Sequence, residues 1–399
     1  MKVSTIEAEK LLRGNQIFEQ LGFSMLLARL KKLYLQDGTN SSLQQCADEI
    51  NAFLDKFMAI MGADFENISK SLQAGGISHF LTFDEVLAKI NKGKLLHIAG
   101  SEAMLRKLPK GNWVGGSTEY FLTDSGGLVS NEKLFVTEFT YDSFSIKSYD
   151  AEEIESVAND AYEHGFSILV IPADSKVHIE YAENAANYEN IFMRNIVGWI
   201  AGVNLNVPGQ TAVAVNGLTS EVYADKAVAL HLAVPDNKTV KLNIINIFSQ
   251  DEDSPVIRFT QEGFTATHCL VDGKETVLAD YIEQNGINIM LPLVGNYSGN
   301  GVNISFKSID NGVVSFYAPV FDNIEYRMAK EITDYEAAFR NRISILDDEN
   351  SVFSCNCILN FLYGELEGKK IDKYYGPITF GEIAYQLLNQ TLVYVTVSD

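Results

Sequence analysis

The sequence predicts an α+β protein: two related lobes of mixed, largely antiparallel sheets with outer helices, preceded by a helical N-terminal region. Three observations carry that expectation. From residue 76 onward, short apolar strands alternate with short capped helices and Gly-containing turns, the texture of mixed layers. The two tryptophans occupy similar settings, Trp113-Val114-Gly115-Gly116 and Trp199-Ile200-Ala201-Gly202, each after a helix and before paired strands. Near the C-terminus Gly376 to Thr379 followed by Thr391 to Val397 echoes Gly115 to Thr118 followed by Leu134 to Phe139, which reads as a diverged internal duplication.

Residues 1–75 read as helical. Ser4 and Glu7 form a capping box, and Phe53, Leu54, Phe57 and Met58 lie on an apolar stripe at helical spacing. Ala74-Gly75-Gly76 marks the boundary with a first lobe over 76–250. There Thr82 with Glu85 caps a short helix, Leu95 to Ala99 is a strand, and Ser101 to Leu108 is a helix. Lys133 to Phe139 and Phe166 to Ile171 are strands, Asp150 with Glu153 opens a helix running to His164, and Asn216-Gly217 makes a tight turn. A second lobe covers 251–399.

Composition narrows the function. A formal net charge of −21 over 399 residues repels phosphate backbones and anionic membranes, so neither nucleic acid nor membrane insertion is expected. The densest basic spot, Arg29, Lys31 and Lys32, reads as a solvated helix face. The same charge tolerates a cationic or zwitterionic ligand. Two uncharged stretches, 195–220 and 284–306, carry Asn, Gln, Pro and Gly at their centres, which hydrocarbon would reject; both read as strands joined by neutral turns. Four cysteines make no disulfide framework, and acidic residues among the first ten replace the apolar core of a signal peptide, so the expected location is cytoplasmic. Cys355 and Cys357, two apart, would face the same side of a strand. No metal-ligand spacing, P-loop, dinucleotide fingerprint or nucleophile elbow occurs, and no cofactor is expected.

Several segments, in order, resemble the FIST sensory domain. Val114-Gly115-Gly116-Ser117-Thr118 resembles the glycine-bearing element of its N-terminal half, and Val197 to Gly202 resembles its second. Phe259 to Asp280 resembles the opening hairpin and helix of the C-terminal half. Phe353-Ser354-Cys355, Thr379-Phe380-Gly381-Glu382-Ile383 and Asn389-Gln390-Thr391 complete the order. Departures stand beside these matches: Ile358 and Leu359 where an Arg is common, Leu388 for the usual His, and Glu119 directly after Thr118. The resemblance covers roughly residues 92–399 and implies intracellular signalling through a sensed small ligand, an amino acid or similar metabolite, with a signalling protein as a further partner.

Candidate ligand-binding residues follow from chemistry. Gly115, Gly116, Gly376 and Gly381 let backbone amides approach a ligand, with Ser117, Thr118 and Thr379 adding hydroxyls; the alternative is tight packing that admits no Cβ. Glu119 and Glu382 could receive an ammonium group, or Glu382 could cap amides in its own turn. Asn389 and Gln390 could read an amide or pair with backbone. The leading reading is a non-catalytic sensory or binding protein. The alternatives are an enzyme using Glu119 and Glu382 as acid and base, and a protein-binding scaffold.

Overall fold

The computed structural model describes residues 75–399 except 298, 345–350, 372 and 399, together with 46, 48 and 50. Ala74–Asp399 form one compact unit and Met1–Gln73 another. The helical stripe and capping box expected before residue 75, and the Arg29, Lys31, Lys32 spot, lie outside the described residues.

Strand β1 (Gly76–Thr82) leads directly into helix α1 (Phe83–Asn91). The Glu85 carboxylate accepts from Thr82 N at 2.8 Å and Thr82 Oγ1 at 2.7 Å, as the capping sequence predicts. Next come β2 (Leu95–Gly100), α2 (Glu102–Leu105) and β3 (Trp113–Ser117), with β2 and β3 parallel and the helix crossing between them. A hairpin, β4 (Tyr120–Thr123) and β5 (Gly126–Val129), precedes β6 (Lys133–Phe139), which lies antiparallel between β1 and β2.

That succession recurs. It appears as β7 (Phe144–Tyr149), β8 (Gly165–Pro172), α3 (Lys176–Asn184), β9 (Ile196–Ala201), the hairpin β10 (Ala214–Asn216) with β11 (Glu221–Tyr223), and β12 (Ala227–Ala233). A third round opens with β13 (Thr239–Ile245) and is then interrupted. The interruption holds β14 (Ile257–Arg258), β15 (Gly263–Ala266), β16 (His268–Val271), β17 (Lys274–Val277), α4 (Leu278–Gln284), β18 (Leu293–Tyr297), β19 (Asn300–Ile304), β20 (Phe306–Asp310), β21 (Val313–Val320), β22 (Tyr326–Met328) and α5 (Tyr335–Ser344). The round then completes with β23 (Ser351–Cys357), α6 (Ile358–Tyr363), β24 (Gly376–Thr379), the hairpin β25 (Glu382–Ala384) with β26 (Gln386–Leu388), and β27 (Leu392–Ser398).

Each round builds one six-stranded sheet, and each sheet borrows its last two strands from another round. The orders are β1-β6-β2-β3-β10-β11, β7-β12-β8-β9-β25-β26 and β13-β27-β23-β24-β4-β5. The hairpin of the second round joins the first sheet, that of the third joins the second, and that of the first joins the third. The exchange is cyclic, so the three sheets have one connection in common. A glycine stands at the same register position in each second parallel strand: an added Cβ would meet Ile98 O at 2.4 Å from Gly115, Leu169 O at 1.9 Å from Gly198, and Ser354 O at 2.1 Å from Gly376. Only a residue without Cβ lets the two parallel strands approach that closely.

The inner faces share one core. His97 of the first sheet accepts a hydrogen bond at Nε2 from Trp199 Nε1 of the second at 2.9 Å and meets the Phe353 ring of the third edge-on at 5.2 Å. Ala99, Phe135, Val170, Val228, Val393 and Val395 pack around them. Outer faces carry separate cores: α1 and α2 cover the first sheet, α3 and the interrupting module the second, α5 and α6 the third.

The architecture is therefore α+β with mixed sheets, as expected. Trp113, Trp199 and Thr379 all fall on the second parallel strand of their sheets. Where two lobes were the expectation, the described residues show three related sheets, and the boundary at 250 falls after β13, which pairs along its whole length with β27. The helix expected from Asp150 to His164 is one 3-10 turn, Ile154–Val157, and that expected over Ser101 to Leu108 is shorter at its C-terminal end. Cys355 joins the central core, Cys357 ends the same strand as N-cap of α6 and belongs to the third sheet's outer core, and both have Glu382 as an electrostatic neighbour. The two uncharged stretches hold β9 with β10 and β18 with β19, and no helix among the described residues is long and apolar enough to cross a membrane.

Candidate functional site

At the carboxyl ends of β23 and β24 a buried polar cluster closes the third sheet. Carboxyl ends of parallel strands are where α/β crossovers leave backbone and side chains free to meet a ligand. Glu382 is its centre and is 0% exposed. It sits on β25, which pairs with β9 of the second sheet, while its hydrogen bonds go to the third. Thr391 Oγ1 lies 2.8 Å and Thr391 N 3.3 Å from Oε2, and Thr379 Oγ1 lies 2.9 Å from Oε1. No cation is among its partners in the described residues. Burial therefore outweighs the hydrogen bonds and pushes its pKa up to about 8.

A protonated Glu382 satisfies every neighbour. Its Oε1–H donates to Thr379 Oγ1, whose own hydrogen goes to Asn356 O at 3.2 Å, and Oε2 accepts from both groups of Thr391. The Cys357 thiol lies beside the same carboxyl, and burial and that neighbour raise its pKa. It is a poor thiolate and no nucleophile.

The interrupting module supplies the other wall. Ser305 N and Oγ donate to Asn389 Oδ1 at 2.9 and 2.5 Å, and Gln390 Nε2 donates to Met290 O at 3.1 Å. Tyr335 OH donates to Asn360 Oδ1 at 2.6 Å, and Asn360 Nδ2 donates to Asn356 Oδ1 at 2.8 Å and Thr391 O at 3.0 Å. Two donors in this cluster stay unmatched: Asn356 Nδ2 and Asn389 Nδ2, on residues each 1% exposed. A buried amide N–H without an acceptor costs about 1–3 kcal/mol.

The other candidates divide. Thr118 reaches the cluster's edge, donating to Ile378 O at 2.7 Å, one residue before Thr379. Ser117 Oγ donates to Gly202 O at 2.8 Å and accepts from Val213 N, so it holds the first sheet to the second round. Glu119 accepts from Asn204 Nδ2 at 2.7 Å and Gln210 Nε2 at 3.5 Å, pinning the loop between β9 and β10. Gly115 and Gly116 are packing positions: a Cβ on Gly116 would stand 2.5 Å from Val170 Cγ1 and 2.8 Å from the Trp199 ring. Gly381, at φ +154°, turns the chain from β24 into β25. Asn356, Asn360, Ser305 and Tyr335 were not singled out from sequence, and Thr391 entered only as part of the Asn389-Gln390-Thr391 segment. The Asn356–Asn360 spacing across a strand-to-helix junction is the one local signal that could have flagged the first two.

A separate surface crevice of about 580 Å³ lies between α3 and the 3-10 turn before β8. Glu155, Glu180 and Glu189 line it with Asn159, Asn184 and Tyr188, and no Lys or Arg is in its wall among the described residues.

Fold and cluster together define an α+β protein of three interlocked sheets with a buried hydrogen-bonding centre around Glu382. The chain belongs to DUF6976, a family of unknown function whose model matches residues 81–398. No curated protein matches it.

Proposed function

We propose that this chain is a non-catalytic, FIST-like binding protein that senses a small metabolite, an amino acid or a similar compound, inside the cell. The ordered resemblance over residues 92–399 supports the class, and the hairpin β16–β17 followed by α4 stands where the resemblance calls for a hairpin and helix. The observation that carries the site is the pair of unmatched amides, Asn356 Nδ2 and Asn389 Nδ2, in the cluster around the uncharged Glu382. A ligand carboxylate or carbonyl oxygen would satisfy those donors. The acid–base alternative is less well supported, because Glu119 and Glu382 serve different neighbours and Glu382 has no exposed face.

Thermal-shift screening against amino acids and small carboxylic acids tests the reading. A ligand at a hundredfold excess over its Kd should add about 2.7 kcal/mol of stability. Asn389→Ala should abolish the shift while leaving a folded protein. A hit that keeps its shift in Asn389→Ala and loses it in Glu180→Gln would move the site to the crevice.

A further inference from the structure

The whole chain carries −21, yet residues 89–110 hold six cations, Lys89, Lys92, Lys94, Arg106, Lys107 and Lys110, against a single carboxylate, Glu102. Topology gathers them at one end of the first sheet. The loop before β2 and the loop returning from α2 to β3 both lie at the amino ends of these parallel strands, and Asn112 Nδ2 ties them by donating to Gly93 O at 3.2 Å. Gly111 N donates to Gly217 O at 2.9 Å, which brings the β10–β11 turn and its 42% exposed Leu218 to the same rim.

Half of these cations are already engaged. Lys89 and Lys94 both hold Glu138, at 2.6 and 2.8 Å, and Arg106 holds Glu102 at 2.7 Å. Lys92, Lys107 and Lys110 are exposed and make no ion pair among the described residues; Lys110 acts on Glu221 only at a distance, and that carboxylate accepts from Tyr223 OH at 2.6 Å. Six cations against Glu102, Glu138 and Glu221 leave a local positive field that the rest of the surface does not cancel, because at physiological salt charges beyond about 8 Å are screened.

We infer that this end of the first sheet docks an acidic peptide segment of a partner protein, with Lys92, Lys107 and Lys110 taking its carboxylates and Leu218 an apolar side chain among them. A compact peptide meets only this patch. A nucleic-acid strand would run off it onto acidic surface, and among the described residues the patch offers no exposed aromatic ring for base stacking.

Fluorescence anisotropy of the full chain with a labelled glutamate-rich peptide containing one leucine tests this. The account expects saturable binding that weakens about tenfold from low to physiological salt and at least tenfold in Lys107→Glu/Lys110→Glu, with unchanged thermal melting. Exchanging the peptide's leucine for serine, or Leu218→Ser, should weaken it further. Absence of binding, equal binding by the double variant, or tighter binding of a single-stranded oligonucleotide of equal charge would each overturn the assignment.

Discussion

Replacing Glu382 by glutamine separates the charge of this residue from its hydrogen bonds. With its pKa raised from 4.5 to about 8, the native protein holds a proton that the unfolded chain releases. Its contribution is thus complete below pH 4.5 and is lost as pH rises through about 8. At 1.36 kcal/mol per pH unit the full interval corresponds to roughly 5 kcal/mol. Glutamine reproduces the neutral form: its amide nitrogen can donate to Thr379 Oγ1 and its oxygen can accept from Thr391 N and Oγ1, the positions that Oε1 and Oε2 hold now. Glu382→Gln should therefore cost at most about 1 kcal/mol below pH 4.5, draw level with the native protein by about pH 5–6, and become the more stable protein by several kcal/mol at pH 9. Urea denaturation of both proteins from pH 5 to pH 9 measures this. Parallel stability curves would refute the reasoning, since they would mean that Glu382 is ionised at neutral pH.

Other consequences follow from the same packing. His97 and His231 are fully buried with pKa values down to about 3 and about 4, so their contribution is complete above pH 6.5 and lost as pH falls; unfolding free energies from urea titrations should drop by roughly 3 kcal/mol per residue by pH 4. Gly198→Ala places a methyl 1.9 Å from Leu169 O and should abolish soluble, cooperatively melting protein. Gly209→Ala, with open space around it and only its φ of +80° against it, should cost about 1 kcal/mol. Tyr335→Phe removes the donor to Asn360 Oδ1 and should lower stability by about 1–2 kcal/mol in the same denaturation assay.

Local chemistry was legible in the sequence, and long-range pairing was not. The Thr82–Glu85 cap, the strands Leu95 to Ala99 and Lys133 to Phe139, and the matched settings of Trp113 and Trp199 follow from spacing within a few residues. The third sheet was hidden because residues 246–350 separate β13 from β23. The repeat spacing was hidden by one loop. Between the packing glycine and the hairpin residue opposite the equivalent register, Gly115 to Leu122 and Gly376 to Ile383 both span 7 residues (122 − 115 and 383 − 376), whereas Gly198 to Val215 spans 17 (215 − 198). The site divided the same way. Thr379, Glu382, Asn389 and Gln390 lie within a dozen residues and could be read together; Ser305 and Tyr335 reach them only through the fold. Glu119 looked equivalent to Glu382 because each follows a Gly-and-Thr element, but hairpin exchange sends them to different neighbours.

A crystal structure of the chain with the metabolite that most raises its melting temperature tests the central claim most directly. The account predicts ligand oxygens within hydrogen-bond distance of Asn356 Nδ2 and Asn389 Nδ2, beside a Glu382 that keeps its bonds to Thr379 and Thr391. A ligand seated in the Glu155, Glu180, Glu189 crevice, with only water against the two amides, would contradict it.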